Sequence, residues 1–237
     1  MPLNKVNAGS NMYDWVTHTH NHLAGACPHR CTYCSTQDMA RRFPVMRDRY
    51  SGPPRLIEES FKVNYGTGKT IFIENCSDMF AEGIPDEFIW DVLKHCRRYP
   101  LNTYVFQTKN PSRVKDFLGW FPLMGKYIIG TTIETNRDYE VSQAPPVKDR
   151  GWNIYSMDVA PERKFVTVEP LLKFDLKEFK DVLICAGAPT FYIGADSKNH
   201  GLPEPTGGEI WALICALRGA GKKVVLKSNL KRLYQGD

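Results

Sequence analysis

The chain has 237 residues, 42% of them hydrophobic and 24% charged, with 31 basic against 26 acidic side chains for a net charge of +5. Such proportions are ordinary for a globular protein, and this length suits one large domain or two small ones. Seven cysteines in so long a chain exclude a disulfide-stapled scaffold, and the lack of any run of about 18 apolar residues excludes a membrane-spanning helix. The opening Met1-Pro-Leu-Asn-Lys-Val-Asn7 carries no apolar signal core, so a cytoplasmic location with no membrane partner is expected.

In chain order, the first strand is expected around Trp15–Leu23. It contains His18-Thr-His-Asn-His22, whose alternation puts three imidazoles on one strand face. These read as polar lining beneath the following loop, with His18 or His22 free to meet a substrate. Then comes Cys27-Pro-His-Arg-Cys31-Thr-Tyr-Cys34, trailed by Arg41, Arg42, Arg47, Arg49 and Arg55. The arginines read either as a solvated helix face or as a phosphate-contacting rim. Gly66-Thr-Gly-Lys-Thr70 mimics a phosphate loop, but Val63 stands where the pattern needs glycine and a strand follows instead of a helix, so it reads as a turn.

Beyond it, β-rich runs alternate with amphipathic ones. Strands are predicted at Lys69–Glu74, Thr103–Thr108, Tyr127–Glu134, Lys164–Glu169, Asp181–Ala186 and Lys222–Lys227. Helices are predicted at Asp86–Arg98, from Asn110-Pro111-Ser112 onward, at Leu176–Lys180 and at Gly208–Arg218, with an irregular stretch through Pro145-Pro146. Cys185 and Cys215, each ending an apolar Leu-Ile-Cys run, read as buried small hydrophobes. The alternation implies an α/β fold whose parallel strands are joined by right-handed crossovers. Six strands plus a short extra C-terminal one suit a partial (β/α)6 TIM-like barrel, a single domain over 1–237.

In such barrels chemistry gathers at the carboxyl ends of the strands. Polar residues stand where the apolar runs stop: Glu74-Asn75-Cys76-Ser77-Asp78, Gln107-Thr108-Lys109, Thr132-Ile-Glu134-Thr-Asn136, Glu169-Pro170 and Lys227-Ser-Asn229. Each alone is explained by a loop cap. Five in register point to a site.

The cysteines decide the chemistry. Three thiolates on one tight loop hold three corners of a cubane iron–sulfur cluster and leave one iron open, whereas simple electron carriers supply four cysteines. Structural zinc wants four ligands, usually as two separated pairs, and Cys76, Cys96, Cys185 and Cys215 are scattered singly. A zinc module completed by a nearby histidine is therefore the weaker alternative. The spacing C-x3-C-x2-C, with Tyr33 before the last cysteine, resembles the signature of radical S-adenosylmethionine (SAM) enzymes. Gln107-Thr-Lys-Asn-Pro111, Thr167-Val-Glu-Pro-Leu-Leu172 and Val225-Leu-Lys227 extend that resemblance to small phage-encoded radical SAM proteins, some in pathways that hypermodify thymine.

The resemblance implies a [4Fe-4S] cluster on Cys27, Cys31 and Cys34, and SAM chelated at the open iron. It places Glu74 and Asn75 at the methionine amino group, assisted by Ser77 and Asp78, although the usual glycines of that motif are missing. Lys109 would neutralise the carboxylate, Glu134 would accept from the ribose, and Tyr33 would lie by the adenine. Glu169 and Lys227 would face a small-molecule, nucleotide or DNA substrate, and an external donor of flavodoxin or ferredoxin type would supply electrons. The implied reaction is hydrogen abstraction that rearranges an amino-acid-modified thymine. A photoproduct-type lyase is the enzymatic alternative, with Cys76 as hydrogen donor.

Overall fold

The computed structural model describes residues 3–236. Its strands are β1 (Asn4–Lys5), β2 (His18–His20), β3 (Leu23–Ala24), β4 (Arg55–Leu56), β5 (Thr70–Ile73), β6 (Thr103–Thr108), β7 (Lys126–Thr132), β8 (Lys164–Val168), β9 (Thr190–Ile193) and β10 (Lys223–Leu226). The α-helices are α1 (Ser35–Arg42), α2 (Pro44–Arg49), α3 (Asp86–Arg97), α4 (Pro111–Val114), α5 (Val147–Tyr155), α6 (Leu176–Cys185) and α7 (Gly207–Gly219). One sheet takes the order β1-β2-β5-β6-β7-β8-β9-β10, while β3 and β4 form a separate antiparallel pair. Among the described residues only β1 runs antiparallel in the large sheet; the other neighbouring strands all pair in parallel. The fold is thus mixed α/β with a mostly parallel sheet, as the strand–helix alternation implies.

Strand alternation sorts side chains onto two faces. Ile71, Ile73, Tyr104, Phe106, Ile129, Val166, Val168, Phe191 and Ile193 join the large core shared with the helices. Phe72, Val105, Ile128, Phe165 and Tyr192 point the other way and pack with Tyr13 and Trp15 in a second apolar cluster. At Gly130 the β7 backbone yields space to that cluster: an added Cβ would stand 2.2 Å from Phe165 Cζ.

Several expectations are corrected. Asp181–Ala186 is not a strand but the second half of α6, because Phe179 and Leu183, four residues apart, bury one helical face. The strand lies later, at β9, where no strand is predicted. Helix α5 starts directly after Pro146, past the stretch expected to be irregular. Cys185 and Cys215 are exposed, on the outer faces of α6 and α7. The histidine run reaches only His20 as strand, and His18 and His20 pair with Ile71 and Ile73, whose side chains face the helices. His20 and His22 are buried there with Tyr65 and His95 of α3, so they line no interior beneath the cysteine loop. Gly66–Thr70 is the expected turn into β5, with Gly66 and Gly68 at φ 59° and 73°.

Candidate active site

The face opposite the helices becomes polar toward the carboxyl ends of the strands. Continuing each strand's alternation past its apolar rung brings up Gln107 and Lys109 from β6, Thr132 and Glu134 from β7, Thr167 and Glu169 from β8, and Lys227 after β10. Four of the predicted site residues therefore share one sheet face.

Beside them lies the cysteine loop, turned on itself by Arg30 N–H donating to Cys27 O and Cys34 N–H to Cys31 O, each 3.2 Å. Helix α1 begins immediately after Cys34. The loop is pinned from two sides. His29 Nε2 lies 2.8 Å from Asp78 Oδ2, which also accepts from Thr108 Oγ1 (2.9 Å) and Lys109 N–H (2.8 Å). From above, Thr32 N–H donates to Val141 O and Gln143 N–H to His29 O, at 2.9 and 2.7 Å. The stretch between β7 and α5 is thus a strap across the cysteines. Burial opposes the Asp78 charge, yet His29 and the Lys109 and Thr108 donors outweigh it and hold the carboxyl below its usual range. Burial and then Asp78 push the Cys27 thiol up to about 12, so binding metal as thiolate would release its proton.

The first subsite surrounds Glu134. The Tyr33 hydroxyl donates to Glu134 Oε1, Arg150 Nη1 to Oε2 at 2.8 Å, and Lys109 Nζ lies 3.7 Å from Oε1. Lys109 also sits 5.1 Å from the Tyr33 ring centre. Burial opposes the Lys109 charge, but Cys31 and then Glu134 raise it to about 12. Glu134 is held low by Arg150 and Lys109 against its own burial. Burial, Glu134 and Cys31 drive the Tyr33 phenol well above its ordinary value. Arg150 also donates to Pro145 O (2.6 Å) and Thr132 O (3.0 Å), tying β7 to the strap. Its buried position carries no sequence signal, because it sits in a helix that the pattern did not show.

The second subsite surrounds Glu169. Oε2 accepts from Lys227 Nζ at 2.6 Å, and Oε1 from Asn11 Nδ2 at 2.6 Å and Asn229 Nδ2 at 2.5 Å. Lys227 lies 4.9 Å from the Tyr13 ring centre, and the Tyr13 hydroxyl bonds Gln107 Oε1 (2.6 Å) and Thr167 Oγ1 (2.5 Å). Burial pushes that phenol far up, so Tyr13 stays protonated. Gly194 leaves the room, since a Cβ there would stand 2.7 Å from Glu169 Oε1. Asn11 and Tyr13 lie between β1 and β2 and carry no sequence signal, because only the fold brings them to β8.

The other predicted residues serve differently. Glu74 spends its carboxylate on His22 and Leu23: Oε1 accepts from His22 N–H (2.5 Å) and meets Nδ1 (2.8 Å), and Oε2 accepts from Leu23 N–H at 3.2 Å. Asn75 Oδ1 accepts from Asn21 Nδ2 at 2.8 Å, and Ser77 lies in the turn that follows. Cys76 is held against Thr36 of α1 and Tyr50. Of the arginine run, Arg55 braces the carbonyls of Asp48, Arg49 and Ser51, while Arg41 pairs with Asp38.

No three His, Cys, Asp or Glu side chains among the described residues converge as one metal ion would require. A cubane makes a different demand: separate irons, each with its own thiolate. The donor set suits it. Cys27 and Cys31 are close enough to influence one another, and Cys31 is flanked by the Lys109 cation and the Tyr33 ring.

A family model described as "Protein of unknown function (DUF5131)" matches residues 10–188. No curated protein matches the chain. Among solved structures, the chain is similar to a spore photoproduct lyase variant with bound AdoMet and dinucleoside spore photoproduct, at 14% identity and TM-score 0.55, covering 89% of this chain and 65% of that one. It is similar to spore photoproduct lyase complexed with dinucleoside spore photoproduct, at 12% identity and TM-score 0.63, covering 92% and 79%. A further variant with that dinucleoside gives 12% identity and TM-score 0.64, covering 95% and 82%. The chain thus spans just under two thirds of the first of these structures. At such identities the likeness establishes the fold.

Proposed function

Since the chain belongs to the DUF5131 family, whose description assigns no activity, we propose from its site that it is a radical SAM enzyme built on a partial barrel and acting on a nucleotide-like substrate. The observation that carries this is the Cys27–Cys34 loop docked against Lys109, Tyr33 and Glu134, in a fold shared with a lyase solved with AdoMet bound. Cys27, Cys31 and Cys34 would hold a [4Fe-4S] cluster. Cluster and SAM together would supply a 5′-deoxyadenosyl radical for hydrogen abstraction.

The chain's own residues bind and orient. Lys109, kept cationic beside Cys31, answers the SAM carboxylate. Glu134, kept anionic by Arg150, accepts from ribose hydroxyls, and Tyr33 offers a ring face to the adenine. With both Glu74 oxygens committed to the chain, the methionine amino group falls to Asn75 and Ser77. Asp78, through His29, holds the loop. Glu169 and Lys227 form a polar pair for substrate, on a floor of Tyr13, Gln107 and Thr167 that keeps water from the reacting end. Electrons would come from a donor of flavodoxin or ferredoxin type.

In the finer reading, hydrogen is taken from an amino-acid substituent on thymine, the substituent moves so that a C–C bond replaces its C–N bond, and a hydrogen atom returned to the product radical completes the isomerisation. A lyase reaction is the second reading, favoured by the fold likeness; there Cys76 would have to reach substrate from beside Tyr50. Anaerobically reconstituted protein should be brown and carry about four irons per chain. Cys31→Ala should lose both colour and iron; a colourless native protein holding one zinc would refute the proposal.

A further inference from the structure

Parallel strands bring their amino ends to one edge of the sheet, opposite the edge that carries the site. Basic residues recur there. Lys5 pairs in register with His18 at the start of β2, Lys126 opens β7, Arg163 immediately precedes β8, and Lys222 and Lys223 lead into β10. Elsewhere cations are often neutralised, as Arg113 is by Asp86, Arg137 by Asp175 and Lys173 by Glu209. These five form no ion pair among the described residues. Asp14 beside Tyr192 and Asp158 beside Lys164 bring carboxylates to the same edge, but neither pairs with Lys126 or Arg163.

A groove of about 510 Å³ opens along this edge, lined by Trp15, Thr70, Thr103, Lys126, Tyr127 and Arg163. Trp15 is held rigidly: it stacks on Tyr13 with centroids 5.4 Å apart, and its indole N–H donates to Tyr192 Oη at 2.7 Å. It remains partly exposed, toward the groove. The Arg163 guanidinium lies 4.5 Å from the Tyr127 ring centre, and its N–H groups meet no acceptor among the described residues. The groove therefore combines a fixed aromatic face, hydroxyls and cations that form no ion pair among the described residues.

We propose that this amino-terminal edge binds single-stranded nucleic acid, at a place separate from the cysteine-loop site. Unpaired cations along a rim recruit phosphates by counterion release. An aromatic face between them takes an unstacked base, and it does so with little regard to sequence. Duplex, whose bases are already stacked, would leave Trp15 unused. The inference does not depend on the radical SAM reading, because none of these residues touches the cysteine loop.

Fluorescence anisotropy with a labelled oligo-dT of about 12 nucleotides and the full-length protein tests it, in a salt series. The double variant K126E/R163E should weaken binding at least tenfold and flatten the log–log salt slope by about 1.4 for two lost phosphate contacts. Lys126→Ala alters only an exposed side chain and should remove about half of that slope change. Trp15→Leu should cost roughly 5- to 150-fold, while Cys31→Ala leaves affinity unchanged. The proposal is overturned if oligo-dT fails to bind at low salt, if the double variant binds within twofold of wild type, if Cys31→Ala abolishes binding, or if an acidic peptide binds where the oligonucleotide does not.

Discussion

Glu74 holds a left-handed backbone conformation, φ 60°, that costs a non-glycine residue about 1–2 kcal/mol. Its carboxylate offsets that cost by capping His22 N–H and Leu23 N–H, where the chain leaves β2 for the cysteine loop. Because the residue is 3% exposed, Glu74→Ala strands buried donors and should destabilise the fold by about 2–4 kcal/mol, read as a lower urea midpoint at unchanged slope. A midpoint within error of wild type would contradict this role. Legibility at the residue scale follows range. The cysteine loop could be picked out because Cys27, Cys31 and Cys34 stand at a short local spacing. Lys109, Glu134, Glu169 and Lys227 could be brought to one sheet face because strand alternation continues past the apolar rungs. Glu74's partners lie 51 and 52 residues away, and so its structural duty did not show.

Strand β7 is the spine of the site, carrying Thr132 and leading into Glu134, and its fit against β8 depends on Gly130. Gly130→Ala would drive a methyl into the Phe165 ring, a backbone-proximal clash that overpacking measurements put at about 1–3 kcal/mol. A drop of several degrees in melting temperature is expected, and an unchanged melt would contradict the face assignment. Most elements were legible from their hydrophobic period. The exception is instructive: Asp181-Val-Leu-Ile-Cys-Ala186 is a short continuous apolar run, and periodicity alone does not separate a buried strand from a helical face. Burial of Phe179 with Leu183 settles it as helix. Helix α5 was hidden for another reason. Its sequence Val-Lys-Asp-Arg-Gly-Trp-Asn-Ile-Tyr buries Arg150 and Gly151 alongside Ile154, so its inner face is not an apolar stripe.

Taken whole, the molecule stacks two apolar layers on either side of a mostly parallel sheet, with the polar groups of the candidate site at its carboxyl-end rim. A buried polar cluster of His20, His22, Tyr65 and His95 interrupts the layer shared with the helices. Burial, with His22 adding to it, lowers His20 to about 3 and His95 to about 4. Both folded-state values lie below the unfolded value near 6.5, so below that pH the unfolded chain takes up protons that the folded chain refuses. Stability should be full above about pH 6.5 and fall as pH drops toward 4, by up to ~1.4 kcal/mol per pH unit for each histidine. Urea midpoints at pH 7.5 and 5.0 should differ accordingly; equal midpoints would exclude the neutral buried pair. His200 works in the opposite sense. Burial opposes its charge, but Asp196 and Asp38 raise its pKa, so the link it makes between the loop after β9 and α1 weakens as pH rises.

The arrangement of cysteine loop, Lys109 and Glu134 is tested most directly by incubating the reduced, iron-loaded protein with SAM under anaerobic conditions and quantifying 5′-deoxyadenosine by mass. 5′-Deoxyadenosine should form with the native chain and be lost with Cys31→Ala. Iron-loaded, reduced native protein that leaves SAM intact would contradict it.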